Sequence, residues 1–349
     1  MRSRTRTRLP LSSTPSWFAL LKVVDWRLWG LGGLLALTFG VSLFLGRYPK
    51  VGLLHPAELA ADPLAAQLVW NLRLPRLLGA ALIGMSLSAA GLVFQMVFSN
   101  PLVEPGFLGV SQAAAFGAAC SIVFLGGAAW LVQGSAVLFG ILGLGLSYLL
   151  ARRVRYGGWV LRLLLAGIAV SALFSAGVGL LKYLADPLRQ LPEITFWLLG
   201  GLWSVSWQQL LSVAPLILIG LLVIVLMRWR LNLLSLDDDV AYSLGVSVGR
   251  ERLIILWAAV IVTAASISIS GLIGWVGLIV PHLARRLSGA DAGRSIPATL
   301  LLGGVFMILC DDLARTTLAG EIPLGVLTSL IGAFTFVLLM TRPLLPSQP

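Results

Sequence analysis

Reactive side chains are scarce in this sequence of 349 residues, which has only two cysteines and two histidines. Cys120 and Cys310 lie far apart in apolar segments, so the sequence shows neither a disulfide framework nor a cysteine-rich metal site. His55 and His282 belong to no HExxH motif, and so few candidates cannot form a catalytic constellation. We therefore expect no catalytic residue, no metal site and no cofactor in this chain, which disfavours an intramembrane enzyme.

A phosphate-binding loop of the form G-x-x-x-x-G-K-[ST] is also missing from the sequence. Such a loop holds the phosphates of ATP or GTP in many nucleotide hydrolases. We therefore expect a partner to carry out any nucleotide hydrolysis that drives this protein.

Charged residues make up only 11% of the sequence, whereas hydrophobic residues make up 58%. One soluble core could not cover so much apolar surface. A membrane-spanning helix needs about 20 mostly apolar residues, and ten stretches approach this requirement, although Gly, Pro and polar residues break the second and the eighth. The sequence predicts an all-α, polytopic membrane protein of about ten transmembrane helices, forming one domain over residues 1–349. The stretches are centred near Leu35, Gly84, Ala115, Leu142, Ala169, Leu218, Val262, Val280, Val305 and Gly332.

The distribution of Lys and Arg predicts the orientation, since these residues are enriched in cytoplasmic segments. With ten spans and a cytoplasmic N-terminus, 18 of the 25 cations fall inside, whereas the 14 acids divide evenly between the two sides. We therefore place both termini in the cytoplasm. The net charge of +11 follows from this topology, so no nucleic-acid partner is needed to explain it. The 18 cations are Arg2, Arg4, Arg6, Arg8, Lys22, Arg27, Arg152, Arg153, Arg155, Arg162, Arg228, Arg230, Arg250, Arg252, Arg285, Arg286, Arg294 and Arg342.

The basic N-terminus, MRSRTRTR, is similar to the start of a signal peptide. A polar Ser/Thr/Pro stretch follows it, however, and the next apolar segment is longer and has no small-residue cleavage site. We interpret residues 1–27 as a cytoplasmic tail.

Residues 228–252, RWRLNLLSLDDDVAYSLGVSVGRER, form a hydrophilic insert between two apolar stretches. The insert is too long for a turn, its pattern favours short helices, and it lies on the positively charged side. An insert of this kind usually binds a partner, which favours a transport machine over a passive anchor.

An inverted repeat is a further prediction, because helices two to five and seven to ten form two sets of four that start on opposite sides of the membrane. The sequence similarity between the sets is faint: EPGFLGV starts at Glu104 and EIPLGVL at Glu321. Chance similarity between Gly- and Leu-rich segments explains this match at least as well as common origin.

Four segments resemble the permease subunits of bacterial ABC importers for iron chelates, heme and cobalamin. The motifs that carry the resemblance are of the types RxPR, NPLxEPGxLG, GLxxPHxxR and ELPxG, and they occur in the family's order. The segments are 72–110, LRLPRLLGAALIGMSLSAAGLVFQMVFSNPLVEPGFLGV; 194–209, ITFWLLGGLWSVSWQQ; 231–248, LNLLSLDDDVAYSLGVSV; and 271–340, which starts with GLIGWVGLIVPHLARRLSGADAGRS.

The resemblance implies a homodimer of ten-helix subunits in the bacterial inner membrane that encloses one pathway through the lipid. Two ATP-binding cassette subunits with ATP and Mg would act on the cytoplasmic side, and a substrate-binding protein would dock from outside. The cargo would be a bulky metal chelate, with a ferric siderophore as the leading candidate and cobalamin or heme close behind. An ion-gradient-driven secondary transporter is the alternative, disfavoured because we expect no paired buried carboxylates in the helices that could carry a proton or sodium.

By the same resemblance, the insert couples the permease to the ATPase. The three aspartates would cap its second helix, the two leucines and the alanine would form an apolar face, and the glycine would end the helix. Related permeases commonly have Gly-Glu where this chain has the first two aspartates, which leaves the helix start open. A solvated charge run in an ordinary loop is the alternative. The predicted coupling residues are Leu236, Asp237, Asp238, Asp239, Ala241, Leu244 and Gly245.

The resemblance also implies that Arg73, Arg76 and Arg315 receive acidic residues of the binding protein. Arg73 and Arg76 lie three residues apart and would share one helix face. The alternative, which does not exclude docking, is that Arg315 pairs internally with Asp311 or Asp312.

Asn100, Pro101 and Leu102 follow one predicted helix and precede another. By resemblance this turn belongs to the cytoplasmic gate, where two-fold symmetry would bring each axial residue against its copy. A plain connecting turn is the alternative. The polar residues Gln95 and Glu104 lie near membrane depth, where such groups are costly and often functional.

Overall fold

The computed structural model describes residues 26–47, 52–55, 62–318 and 320–341. Within them the chain is almost entirely helical, and a two-residue hairpin pairs β1 (Leu45–Gly46) antiparallel with β2 (Gly52–Leu53). All but the last two residues of the predicted tail 1–27 lie outside the described residues, as does Arg342.

The described residues form fourteen α-helices of 6 to 26 residues, numbered here in chain order. A π-turn at Val69–Arg73 joins α2 to α3, and a 3₁₀ turn at Pro105–Leu108 precedes α4. The helices are α1 (Trp26–Phe44), α2 (Pro63–Leu68), α3 (Leu74–Val97), α4 (Val110–Phe124), α5 (Ala129–Arg153), α6 (Trp159–Leu184), α7 (Gln190–Leu199), α8 (Trp207–Leu226), α9 (Arg228–Leu234), α10 (Asp238–Ser243), α11 (Val248–Ser270), α12 (Val276–Ser288), α13 (Ala292–Thr316) and α14 (Leu324–Thr341).

Seven helical rods in the described residues are long and apolar enough to cross a membrane: α1, the continuous α2–α3, α5, α6, α8, α11 and α13. Helices α4 and α14 are shorter apolar helices, and α12 has 13 residues with Pro281 inside and Arg285 and Arg286 in its last turn. The prediction of an all-helical, polytopic membrane protein is confirmed.

The second predicted span is a continuous helix, although Gly, Pro and polar residues break its apolar run. Residues Pro63–Val97 form one continuous helical rod of 35 residues, because the π-turn absorbs the irregularity before Pro75 while the backbone stays helical. Pro75 follows the π-turn directly, and local π adjustments of this kind let a membrane helix accept a proline inside it.

Helices α3, α11 and α13 form the interior of the described bundle. In their most apolar windows 83%, 78% and 61% of the residues are buried, against 6% for α1. Small residues allow this close packing. A Cβ atom on Gly84 of α3 would overlap the carbonyl oxygen of Gly303 on α13, and a Cβ atom on Gly91 would overlap that of Gly277. The buried helices therefore touch through their backbones.

Two unwound segments interrupt the helices near the interior. Residues Gly271–Trp275 separate α11 from α12, and Trp275 adopts a left-handed φ of 71°. Residues 200–206 separate α7 from α8. The freed backbone groups bond to other segments, since Gly201 N–H donates to Ser270 O at 2.8 Å and Leu324 N–H donates to Gly200 O at 2.9 Å. Buried protein partners of this kind make irregular backbone tolerable at membrane depth.

Candidate functional site

The insert folds as two short helices, α9 and α10, at one end of the bundle, which we call the insert end. Helix α10 ends at a Schellman motif, in which Gly245 N–H donates to Tyr242 O at 2.9 Å and Val246 N–H donates to Ala241 O at 3.2 Å. Gly245 has a φ of +80°, which a glycine adopts without steric cost. The helix therefore ends at the glycine that the sequence indicates.

The aspartates do not cap α10 by hydrogen bonds, contrary to expectation. Within the described part of the chain, the side chain of Asp237, the N-cap residue, makes no capping hydrogen bond. Asp238 instead accepts from Arg252 of α11 at 2.8 Å. The Arg252 guanidinium also lies 5.0 Å from the centre of the Trp159 ring. The aspartates thus act through charge at the positive end of α10 and through this ion pair.

The exposed apolar surface of the insert also differs from the prediction. Leu236 and Leu244 are exposed, at 43% and 57%, but Ala241 is fully buried in the main hydrophobic core. Val240 and Tyr242 are exposed instead, at 47% and 78%. The residue that points inward from a two-turn helix depends on tertiary packing, which the short sequence pattern could not determine. We call Leu236, Val240, Tyr242 and Leu244 the insert surface.

Arg76 lies at the opposite end of the bundle, where its guanidinium is fully engaged by two carboxylates. It donates three hydrogen bonds of 2.8 to 3.0 Å to Asp311 of α13, which is completely buried, and two of 2.8 and 2.9 Å to Glu321. Sequence reasoning missed Glu321 as a partner because the contact joins residues 245 positions apart.

Arg315 pairs with acidic residues of its own chain, which is the alternative that the sequence left open beside docking. Its guanidinium bonds Asp312 and lies 3.7 Å from Asp311. It also donates to the carbonyl oxygens of Leu45 and Ser42 at 2.7 and 2.6 Å. The Ser42 hydroxyl in turn donates to Asp312.

Arg73 donates to the carbonyl oxygens of Leu43 and Phe44 at 3.4 and 3.3 Å. The three predicted docking arginines are therefore neighbours at one end, which we call the arginine end. Within the described residues the three guanidinium groups lie among three carboxylates, Asp311, Asp312 and Glu321, and a fourth guanidinium, that of Arg47, donates to Thr316 O at 3.1 Å beside them.

The described helices contain a pair of buried carboxylates, although we expected none that could carry a proton or a sodium ion. Asp311 and Asp312 are adjacent on α13 and are 0% and 8% exposed. Both are held by arginines, which makes them partners in ion pairs. The sequence shows the pairing with Arg315, which lies three and four residues after the two aspartates. It does not show that Arg76 is the second cation that these buried acids require.

The predicted gate turn follows α3 at the insert end. Ser99 has a left-handed φ of 47°, and Asn100 N–H donates to Gln95 O at 3.0 Å, so a Schellman motif ends the helix without glycine. The Asn100 side chain accepts from Leu102 N–H at 2.9 Å. Pro101 and Leu102 are exposed, and Leu102 is 45% exposed. The tip of the turn is therefore free within this chain to meet another surface.

Gln95 connects α3 to α12 behind this turn. Its amide nitrogen donates to Gly277 O at 3.1 Å and Leu278 O at 3.2 Å, and its oxygen accepts from Arg285. Glu104 lies farther along, in a cavity of about 370 Å³ that also has Ser111, Gln112 and Thr263 in its wall.

Comparison with known proteins shows the family to which this helical bundle belongs. Residues 34–342 match the FecCD transport family. The chain belongs to the FecCD transport family. The molybdate import system permease protein MolB of Haemophilus influenzae is 40% identical over 322 residues, which cover 90% of this chain and 95% of the relative. The hemin transport system permease protein HmuU of Yersinia pestis is 39% identical over 279 residues, covering 78% of this chain and 83% of the relative.

A solved structure, described as an inward-facing conformation of a metal-chelate type ABC transporter, has a TM-score of 0.82 and 40% sequence identity. It covers 90% of this chain and 98% of its own. The resemblance drawn from the sequence motifs is thus confirmed. This FecCD-family chain is a permease subunit of an ABC importer and is not an enzyme, because the ATPase of such importers lies on separate subunits.

Proposed function

We propose that this chain is the transmembrane subunit of an ATP-driven importer that moves a metal chelate from a binding protein into the cytoplasm. The observation that carries the proposal is the exposed insert surface on a polytopic helical bundle. Four exposed apolar side chains, two on α10 and two in the turns that flank it, offer apolar contacts to a hydrophobic cleft on an ATPase.

The full assembly follows the FecCD-family pattern. The chain forms one domain of ten spans over residues 1–349, has both termini and the insert 228–252 in the cytoplasm of a bacterial inner membrane, and pairs with a second copy. Two ATP-binding cassette subunits bind the insert, through Leu236, Leu244 and the charges of Asp237 to Asp239. The tip Asn100–Leu102 meets its copy on the axis as the cytoplasmic gate, since its exposure leaves it free to do so.

A substrate-binding protein docks at the arginine end in this proposal. Because each arginine already has internal partners, acidic residues of the binding protein join an existing ion-pair network. These charges then mainly fix the orientation in which the binding protein docks, and they add less to its affinity.

A ferric siderophore is the leading cargo, with heme and cobalamin close behind. Relatives named for hemin and for iron chelatin transport, the latter 36% identical, support this class. Molybdate is a second candidate, because MolB is 40% identical over 95% of its length. The two candidates differ in size and chemistry, so one uptake assay separates them.

The test is uptake into proteoliposomes that hold this chain with its ATPase and binding protein, supplied in turn with a ferric siderophore, heme, cobalamin and molybdate. We expect one cargo to accumulate only when all three proteins and ATP are present. Accumulation of molybdate alone would reassign the cargo. Accumulation that ignores ATP but follows an imposed ion gradient would overturn the proposed mechanism.

A further inference from the structure

A hydrogen-bonded clamp joins the insert to the start of α13. The Asn232 side chain of α9 donates from its amide nitrogen to Asp291, and its oxygen accepts from Ala292 N–H at 2.8 Å. Asp291 is also the N-cap of α13 and accepts from Gly293 N–H at 3.3 Å. One amide side chain therefore satisfies both the capping residue and the first exposed N–H of a 25-residue helix.

A second contact supports the clamp from the same helix. A Cβ atom on Gly293 would lie 3.0 Å from the indole nitrogen of Trp229, so the absence of a side chain lets the ring rest against α13. The Arg228 guanidinium stacks 4.0 Å from the centre of that ring. Helix α9 is thus held to α13 by an apolar contact and by two directional hydrogen bonds.

Helix α13 connects this clamp to the arginine end. Its 25 residues span about 37 Å at 1.5 Å per residue. Asp291 lies at the start of the helix, and Asp311, Asp312 and Arg315 lie at the other end. Its backbone contact with α3 at Gly84 and Gly303 adds stiffness, and Ser88 donates to Thr299 O at 3.1 Å between the same helices.

The α3–α13 pair therefore has one end in each of the regions that partners would occupy. Helix α3 holds Arg76 at one end and the gate turn after its other end. A displacement of α9 would act directly on the α3–α13 pair, because Asn232 is hydrogen-bonded to the first residue of α13.

We propose that Asn232 and Asp291 are positioning residues that transmit movement of the insert to α13, and through it to the gate turn and the arginine end. The inference rests on the proposed function, because it needs an ATPase that moves the insert. Neither residue touches the cargo or the ATPase in this account; each acts through the hydrogen bonds that join the two helices.

The test exchanges the two side chains. Asn232→Asp places a carboxylate against Asp291 and removes the donor, so the clamp opens. Asp291→Asn alone keeps an acceptor for Asn232 and an N-cap for α13. The double variant Asn232→Asp/Asp291→Asn restores one donor and one acceptor with their places reversed, and it leaves the total charge unchanged.

The measurement is made on the full complex of permease, ATPase and binding protein in proteoliposomes. The readout is the ratio of ATPase activity with loaded binding protein to basal ATPase activity, together with cargo uptake per ATP hydrolysed. Ser206→Ala is the matched control, because it removes the capping box of α8 at the arginine end and leaves the clamp intact.

We expect Asn232→Asp to lower the stimulation ratio about fivefold, since the hydrogen bond to Asp291 is lost and two carboxylates are brought together, although the acceptor for Ala292 N–H remains. We expect Asp291→Asn, the double variant and the control to stay within about twofold of wild type. Equal losses of complex yield, basal and stimulated activity in Asn232→Asp would show that the contact only supports folding. An unchanged ratio, or no rescue in the double variant, would overturn the inference. An absence of stimulation in the wild-type complex would instead refute the proposed function.

Discussion

The ion pair between Arg76 and Asp311 gives a quantitative prediction. Asp311 is completely buried and receives three hydrogen bonds from Arg76, at 2.8 to 3.0 Å. Removing one partner of a buried ion pair costs roughly 3–5 kcal/mol, because the other charge is left without compensation in a poorly solvated place. Arg315 stays 3.7 Å from Asp311, so we expect the lower end of this range, about 3 kcal/mol, for Arg76→Met.

Two further variants make the prediction specific. Glu321→Gln removes the other carboxylate partner of Arg76, but Glu321 is 37% exposed, so its loss should cost no more than about 1 kcal/mol. Asp311→Asn in the Arg76→Met background removes the buried charge itself. It should recover at least half of the lost stability, because an amide needs no counter-ion.

The assay is reversible unfolding of the purified permease in mixed micelles with increasing SDS, followed by circular dichroism. Free energies of unfolding for the wild type, the single variants and the double variant form a cycle. Similar, small losses for Arg76→Met and Glu321→Gln would refute the argument, and so would a double variant less stable than Arg76→Met. In that case Arg76 would be available for docking at little structural cost.

Four further outcomes are expected. Ser99→Gly should raise the free energy of unfolding by about 1 kcal/mol in the same SDS assay, because glycine relieves the left-handed strain at the end of α3. Gly303→Ala should lower it by about 1–3 kcal/mol, whereas Gly179→Ala, whose Cβ atom would meet nothing within 4 Å, should not. Tyr242→Ala should weaken ATPase binding about tenfold in a pull-down titration, and Tyr156→Ala, at a tyrosine that is 68% exposed against 78% for Tyr242 but lies outside the insert, should leave it unchanged. Arg73→Glu should slow association of the binding protein most at low salt, as measured by stopped-flow fluorescence; an on-rate equal to wild type would contradict docking there.

The sequence was sufficient for the membrane class and the family because these depend on composition and on motifs contiguous in the chain. The apolar runs predicted the long helices, and Gly245 marked a helix end through its own backbone preference. The resemblance rested on segments that the family comparison also matches.

Contacts between distant residues were beyond the same reasoning. Ala241 turned inward because the packing of α10 against the bundle decides its buried face. Asp238 forms an ion pair with Arg252 on the next helix and does not cap α10, as its position in the sequence had suggested. Asp311 and Asp312 were read as partners of a nearby arginine only, whereas Arg76 comes from a helix 235 positions earlier. Each of these outcomes depends on how helices meet in space.

The continuous rod Pro63–Val97 is longer than a helix needs to cross the lipid. Its 35 residues extend about 52 Å, whereas the hydrocarbon core is about 30 Å thick. The segment from Arg76 to Val97 alone covers about 33 Å, so the 13 residues before it are not needed to cross the hydrocarbon core. Near this boundary the Trp207 indole donates to Trp70 O at 2.9 Å, and Trp70 is 58% exposed. Tryptophans at headgroup level anchor a helix, so the arginine cluster lies close to the membrane–water interface even though the side chains of Arg76 and Arg315 are only 14% and 10% exposed.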